Sequence, residues 1–182
     1  MGRLCCAIGL MLVGRIVAAQ AATPGSQFDQ PGRYTYAPDT GQMGAIKHAV
    51  DRGVSGMLPT PKRIAHQRLM EANKLPRVLR VIVVADSVGT QQDSGKPMTL
   101  PRSGATVKWD DGNGDVCRAR ETVAPDTLTQ FCDAGSGASA YHYVLEGDGH
   151  RLRMVVHITS SHLGGPVDYA VEFHQDSTAS GP

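Results

Sequence analysis

Aromatic residues are scarce in this chain. Three Phe, one Trp and five Tyr make up 5% of its 182 residues, so a core has to be built mainly from Val, Leu, Ile, Met and Ala. An excess of either charge is also missing, with 18 Lys and Arg against 17 Asp and Glu, and with it the basic footprint that nucleic-acid binding requires. Catalytic signatures are missing as well. His142, His150, His157, His162 and His174 form no His-x3-His or His-Glu-x-x-His array, so they read as solvated side chains and no metal or cofactor is expected. Gly135-Ser136-Gly137 lacks the Gly-x-Ser-x-Gly frame and reads as a loop. Asp110-Asp111-Gly112-Asn113-Gly114-Asp115 is acidic and glycine-rich, but without the closing Glu of a calcium loop it reads as a hairpin turn. Nothing here points to an enzyme.

What is present at the start is an export pattern. Arg3 precedes an apolar run from Leu4 to Gly14, and Ala19-Gln20-Ala21 is a small-x-small cleavage site. Arg15 interrupts the run well short of the roughly 20 residues a span needs. The pattern predicts a signal peptide over residues 1–21, a flexible approach segment over 22–32, one domain over 33–175 and a disordered tail over 176–182. The expected location is periplasmic or secreted, with no membrane span after signal removal. Cleavage would remove Arg3, Arg15, Cys5 and Cys6 and leave Cys117 and Cys132 as the remaining thiols. Two thiols in an oxidising compartment are expected to be bridged.

Hydrophobic periodicity divides the rest. Arg33 to Tyr36 alternates as a short strand. Ala45, Ile46, Ala49 and Val50 recur at helical spacing, in a helix expected to end near Arg52 because Gly53 and Gly56 follow. Thr60-Pro61 reads as the N-cap and first position of a second helix running to about Asn73. Val78 to Val84 is a β-branched run expected to be a strand buried on both faces or lying in a tight core. Short strands follow at Thr106 to Trp109, Val116 to Thr122, Leu128 to Cys132, Tyr141 to Leu145, Arg151 to Thr159 and Val167 to His174, with Gly, Asp and Pro turns between them.

Two hairpins can be given a register. A symmetric turn at Ser161 to Pro166 opposes Met154 to Phe173, Val156 to Val171 and Ile158 to Tyr169, an apolar row on one face. Arg153 then lies outward near Glu172. A turn centred between Ala124 and Pro125 places Cys117 directly opposite Cys132, within reach of a disulfide. Arg118 and Arg120, or Arg151 and Arg153, would make an anion site if either pair faced a cavity. The default for all four is a surface ion pair.

This element order, one strand, two short helices and an unbroken antiparallel meander, resembles the fatty-acid-binding-protein branch of the lipocalin or calycin superfamily. Gly32-Arg33-Tyr34 is similar to that superfamily's Gly-x-Trp signature, with Tyr in place of Trp. The resemblance implies a mainly β fold, a closed or nearly closed barrel with two short helices between its first and second strands. It also implies a cavity for an apolar ligand, lined in part by Met154, Val156, Ile158, Tyr169, Val171 and Phe173. Where the family carries an Arg-x-Tyr that holds a carboxylate, this chain has Val167-Asp168-Tyr169, so Tyr169 carries over and the arginine does not. The expected function is binding of a small apolar or amphipathic ligand. The alternative is a packed-core protein that binds a protein, as an envelope accessory, inhibitor or immunity-type factor.

Overall fold

The computed structural model describes residues 25–36, 41–110, 112, 114–147 and 149–176. The signal segment, the first part of the approach segment and residues 177–182 of the tail lie outside the described residues, as do Asp111 and Asn113 of the acidic turn.

Ten antiparallel strands form one sheet: β1 (Gly32–Tyr36), β2 (Val78–Val84), β3 (Ser87–Gln92), β4 (Met98–Pro101), β5 (Val107–Asp110), β6 (Val116–Val123), β7 (Thr127–Asp133), β8 (Gly137–Glu146), β9 (Arg151–Ser160) and β10 (Val167–Gln175). Their spatial order is β4-β3-β2-β1-β10-β9-β8-β7-β6-β5. The sheet curls so that its edge strands β4 and β5 approach one another, making a nearly closed barrel. Gln130 Nε2 reaches across to the Met98 carbonyl, and Trp109 Nε1 donates to the Pro97 carbonyl at 3.4 Å. Helices α1 (Gln42–Gly53) and α2 (Pro59–Ala72) lie between β1 and β2, as the layout predicted.

The apolar stripe of α1, Ile46, Ala49, Val50 and Gly53, is buried, at the spacing that puts residues on one helical face. It lies along β10. Gln42 accepts a hydrogen bond from the Glu172 backbone, and the Gly53 carbonyl accepts from the backbones of Gly164 and Gly165. Gly53 has to be glycine for this approach, since a Cβ there would overlap Val167. α2 buries none of its residues fully. Its N-cap is Leu58 rather than Thr60, with Pro59 and Pro61 both in the first turn, where a missing N–H costs nothing.

Four expectations need correction. First, Val78 to Val84 is not buried on both faces: Leu79 and Val81 are buried while the alternate residues are partly exposed. The helices cover one end of the barrel and leave its outer wall to solvent. Second, the β9–β10 register is shifted by two residues, pairing Tyr169 with Val156, Val171 with Met154 and Phe173 with Leu152. Even shifts keep every side chain on its own face, so the apolar row still points inward. Third, Cys132 lies opposite Ala119, not Cys117, because the Ala124 N–H closes the turn on the Thr127 carbonyl and centres it on Pro125-Asp126. Cys117 is then a diagonal neighbour, with Cα atoms 5.6 Å apart, still at disulfide distance. Fourth, the approach segment is docked over its described part. Gln27–Asp29 form a short 3-10 helix capped by Ser26, and Phe28 is fully buried. This plug closes the barrel end opposite the helices. It is held by the Gln27 N–H on the Pro125 carbonyl and by Arg102, which pairs with Asp29 at 2.6 Å and donates to the Phe28 carbonyl. Asp176, assigned to the tail, is likewise tied down by Arg33 and Thr35.

Candidate functional site: a half-hollow barrel interior

The inward faces of the strands do not fill the barrel evenly. A large apolar cluster gathers Phe28, Tyr34, Leu79, Leu152, Val156, Val171 and Phe173 with the buried stripe of α1. A small second cluster, Leu100, Cys117 and Ala119 with Met98, Val107, Trp109 and Cys132, sits at the β4–β6 side. Between them lies a cavity of about 420 Å³, within the range of small-molecule sites. Its walls are Met98, Trp109, Tyr141, Tyr143, Cys132 and Ser139. The rings of Tyr141 and Tyr143 stack at a centroid separation of 6.4 Å. The rim, beneath the C-terminal end of α2, carries the exposed residues Lys74, Asp93, Gly95 and Lys96.

The six residues expected to line a cavity are placed elsewhere. Met154, Val156, Tyr169, Val171 and Phe173 are buried and Ile158 is partly buried, all within or against the large cluster. None of the six borders the 420 Å³ cavity, while Met154 and Tyr169 border a pocket of about 10 Å³ near Asn73. Here α1 supplies the reason, because its buried face fills the barrel over β10. Tyr169 has no spare donor for a ligand: its hydroxyl donates to Asn73 Oδ1 at 2.8 Å, and Asn73 in turn caps α2 through the Leu69 carbonyl. Burial pushes the Tyr169 phenol well above its ordinary range.

Polar residues invisible to a search for apolar faces line the floor of the cavity. Thr90 and Gln130 border it and Glu121 lies behind Gln130, all three buried, with Glu121 and Gln130 each 1% exposed. Glu121 shares the inward parity of Cys117 and Ala119 on β6, and Gln130 that of Leu128 and Cys132 on β7. Strand alternation was the signal that could have found them. Gln130 donates to the Met98 carbonyl at 2.9 Å and to Glu121 Oε2 at 3.1 Å, while Thr90 donates to Gln130 Oε1 at 2.9 Å. Thr90 also lies 3.2 Å from the Tyr143 hydroxyl. Among the described residues, Glu121 Oε1 has no hydrogen-bond partner.

Desolvation pushes the Glu121 carboxyl up to about 7, against the opposing pull of the Gln130 hydrogen bond and the Arg102 charge. A carboxyl whose folded pKa lies above its unfolded value favours folding below the unfolded value, and that contribution is lost as pH rises through the folded one. Stability should therefore fall between about pH 4.5 and pH 7 on account of this residue. Glu121→Gln, which cannot ionise, should flatten the decline and stabilise the protein at pH 8 by on the order of 2 kcal/mol. Urea midpoints of both proteins at pH 5 and pH 8 measure it, and parallel curves would refute it.

The basic residues considered for an anion site face outward. Arg118 pairs with Asp133 at 2.8 Å, Arg120 lies over the Phe131 ring, Arg151 pairs with Glu146 and Arg153 sits opposite Glu172. His157 is bonded to Asp168 across β9 and β10. No group of three or more His, Cys, Asp or Glu is placed to hold a metal among the described residues, and no described helix is long and apolar enough to cross a membrane.

No protein-family model matches the chain, and no curated protein is similar to it in sequence. Solved structures are similar in fold. The apo lipid binding protein 8 of Caenorhabditis elegans superposes with a TM-score of 0.51 at 14% identity, covering 80% of this chain and 94% of that one. A secretory abundant heat soluble protein from Ramazzottius varieornatus gives 0.50 at 9% identity, covering 80% and 93%. Both alignments run over nearly the whole of the other protein. The chain thus shares its fold with these proteins, a nearly closed antiparallel barrel with two helices between the first and second strands.

Proposed function

We propose that this is an exported, non-enzymatic protein that holds a small apolar or amphipathic ligand inside its barrel. The observation that carries the reading is the cavity of about 420 Å³ between two apolar clusters, walled by Met98, Trp109, Tyr141 and Tyr143. Support for export comes from the pattern over residues 1–21 and from two cysteines at disulfide distance. The fold adds weight without deciding the matter, since function depends on the site that a fold carries.

N-phenyl-1-naphthylamine, a neutral probe that fluoresces in apolar surroundings, should bind saturably at one site per chain. Ser139→Trp, which places an indole in the cavity wall, should lower that affinity at least tenfold without unfolding the protein. Val156→Trp is a poor test, because Val156 belongs to the packed cluster. Absence of saturable uptake by the folded protein would discard the reading in favour of a protein-binding role.

A further inference from the structure

The floor of the cavity fixes which head group it accepts. The Gln130 amide has both its N–H groups committed, to the Met98 carbonyl and to Glu121. Two acceptors on that side set the amide's orientation, leaving Oε1 toward Thr90. The single proton of the Thr90 hydroxyl must serve the 2.9 Å contact with Oε1, which cannot donate. At the 3.2 Å contact between the two hydroxyls the proton then comes from Tyr143. Donation runs one way, Tyr143 to Thr90 to Gln130, and ends on a buried carboxyl. Every donor of these three side chains is spent, and what they leave toward the cavity are lone pairs on hydroxyl and amide oxygens, with Gln92 beside them in the wall and its Nε2 at 3.9 Å from Met154 Sδ.

Resting on the cavity reading above, we propose that the ligand is a neutral amphiphile of the aliphatic alcohol class, seated with its hydroxyl on Thr90, Gln130 and Tyr143 and its chain toward the rim. A hydroxyl supplies the proton that these three side chains no longer have to give. An ionised carboxylate brings only acceptors and meets Glu121 behind Gln130. Among the described residues no lysine or arginine is buried to offset it. Lys74 and Lys96 stand at the exposed rim, and Lys74 is already paired with Glu71 at 3.5 Å.

Displacement of bound N-phenyl-1-naphthylamine at pH 8 by 1-dodecanol, 1-methoxydodecane and dodecanoate tests the assignment on the unaltered protein. The ether keeps the chain and the oxygen, is more apolar than the alcohol and lacks the proton. The alcohol should bind roughly fivefold or more tighter than the ether, the worth of one hydrogen bond, and tighter still than dodecanoate. Thr90→Val releases the Tyr143 proton toward the cavity and should raise the affinity of the ether, which can only accept, above its value in the unaltered protein. Equal affinities in the unaltered protein, or tighter binding of dodecanoate, would overturn the head-group assignment while probe uptake kept the cavity reading. If neither the probe nor any of the three compounds binds, both fall together.

Discussion

Phe28→Ala should cost about 3 to 5 kcal/mol of stability, the range for deleting a fully buried aromatic side chain. Phe28 is fully buried although it stands in a segment rich in Gly, Pro and polar residues. Its ring belongs to the large cluster and closes the barrel end away from the helices. Truncation would leave a void bounded by strands that cannot collapse inward without breaking their ladders. Asp29→Ala is the control: it removes the pair with Arg102, which is partly solvated, and should change stability by less than about 1 kcal/mol. Urea denaturation of both variants separates packing from charge. A loss below 1 kcal/mol for Phe28→Ala would show that the plug lies outside the cooperative core.

Replacing Cys117 and Cys132 together by Ala should lower stability by about 3 kcal/mol if they are bridged, as the chain-entropy model gives for a loop closed over a sequence separation of 15. The pair joins β6 to β7 beside the cavity, with Cys132 in its wall. A single replacement should lose the same stabilisation and leave one thiol that titrates after denaturation without reductant. Cys117 and Cys132 both titrating as thiols in the unaltered protein, denatured without reductant, would refute the bridge, and a double variant of unchanged stability would show that it does not brace the fold.

The element order and the inward faces could be read from the sequence because both depend on local alternation. Met154, Val156 and Ile158 on β9, with Tyr169, Val171 and Phe173 on β10, announce one face by their period of two. Their pairing could not be read, because the turn between them is not symmetric. Thr159 and Ser160 pair with Ala138 and Gly137 on β8, and Gly164 and Gly165 are drawn to the Gly53 carbonyl at the end of α1. A contact between residues more than a hundred positions apart set the register. Strands β3 and β4 went unrecognised for a different reason. Their β3 sequence, Ser-Val-Gly-Thr-Gln-Gln, carries polar residues inward at Thr90 and Gln92. In addition, Gly89 serves a close approach in which a Cβ would overlap the Met98 backbone. The hollow side of the barrel is where inward residues are polar, and a reading that equates inward with apolar passes over it.

The spatial order of the strands bears on when this protein can fold. β1 pairs with β10, Tyr34 opposite Gln175, in the middle of the sheet. The sheet therefore stays in two parts, β1–β4 and β5–β9, until β10 is available to join them. Closing a loop of that length must precede the contacts that reward it, which places the chain among slow folders. A nascent chain still lacking β10 cannot bury α1 or complete the large cluster. If the chain is exported as proposed, this delay keeps it threadable until its synthesis is almost complete, because the barrel cannot close around its cavity before β10 arrives.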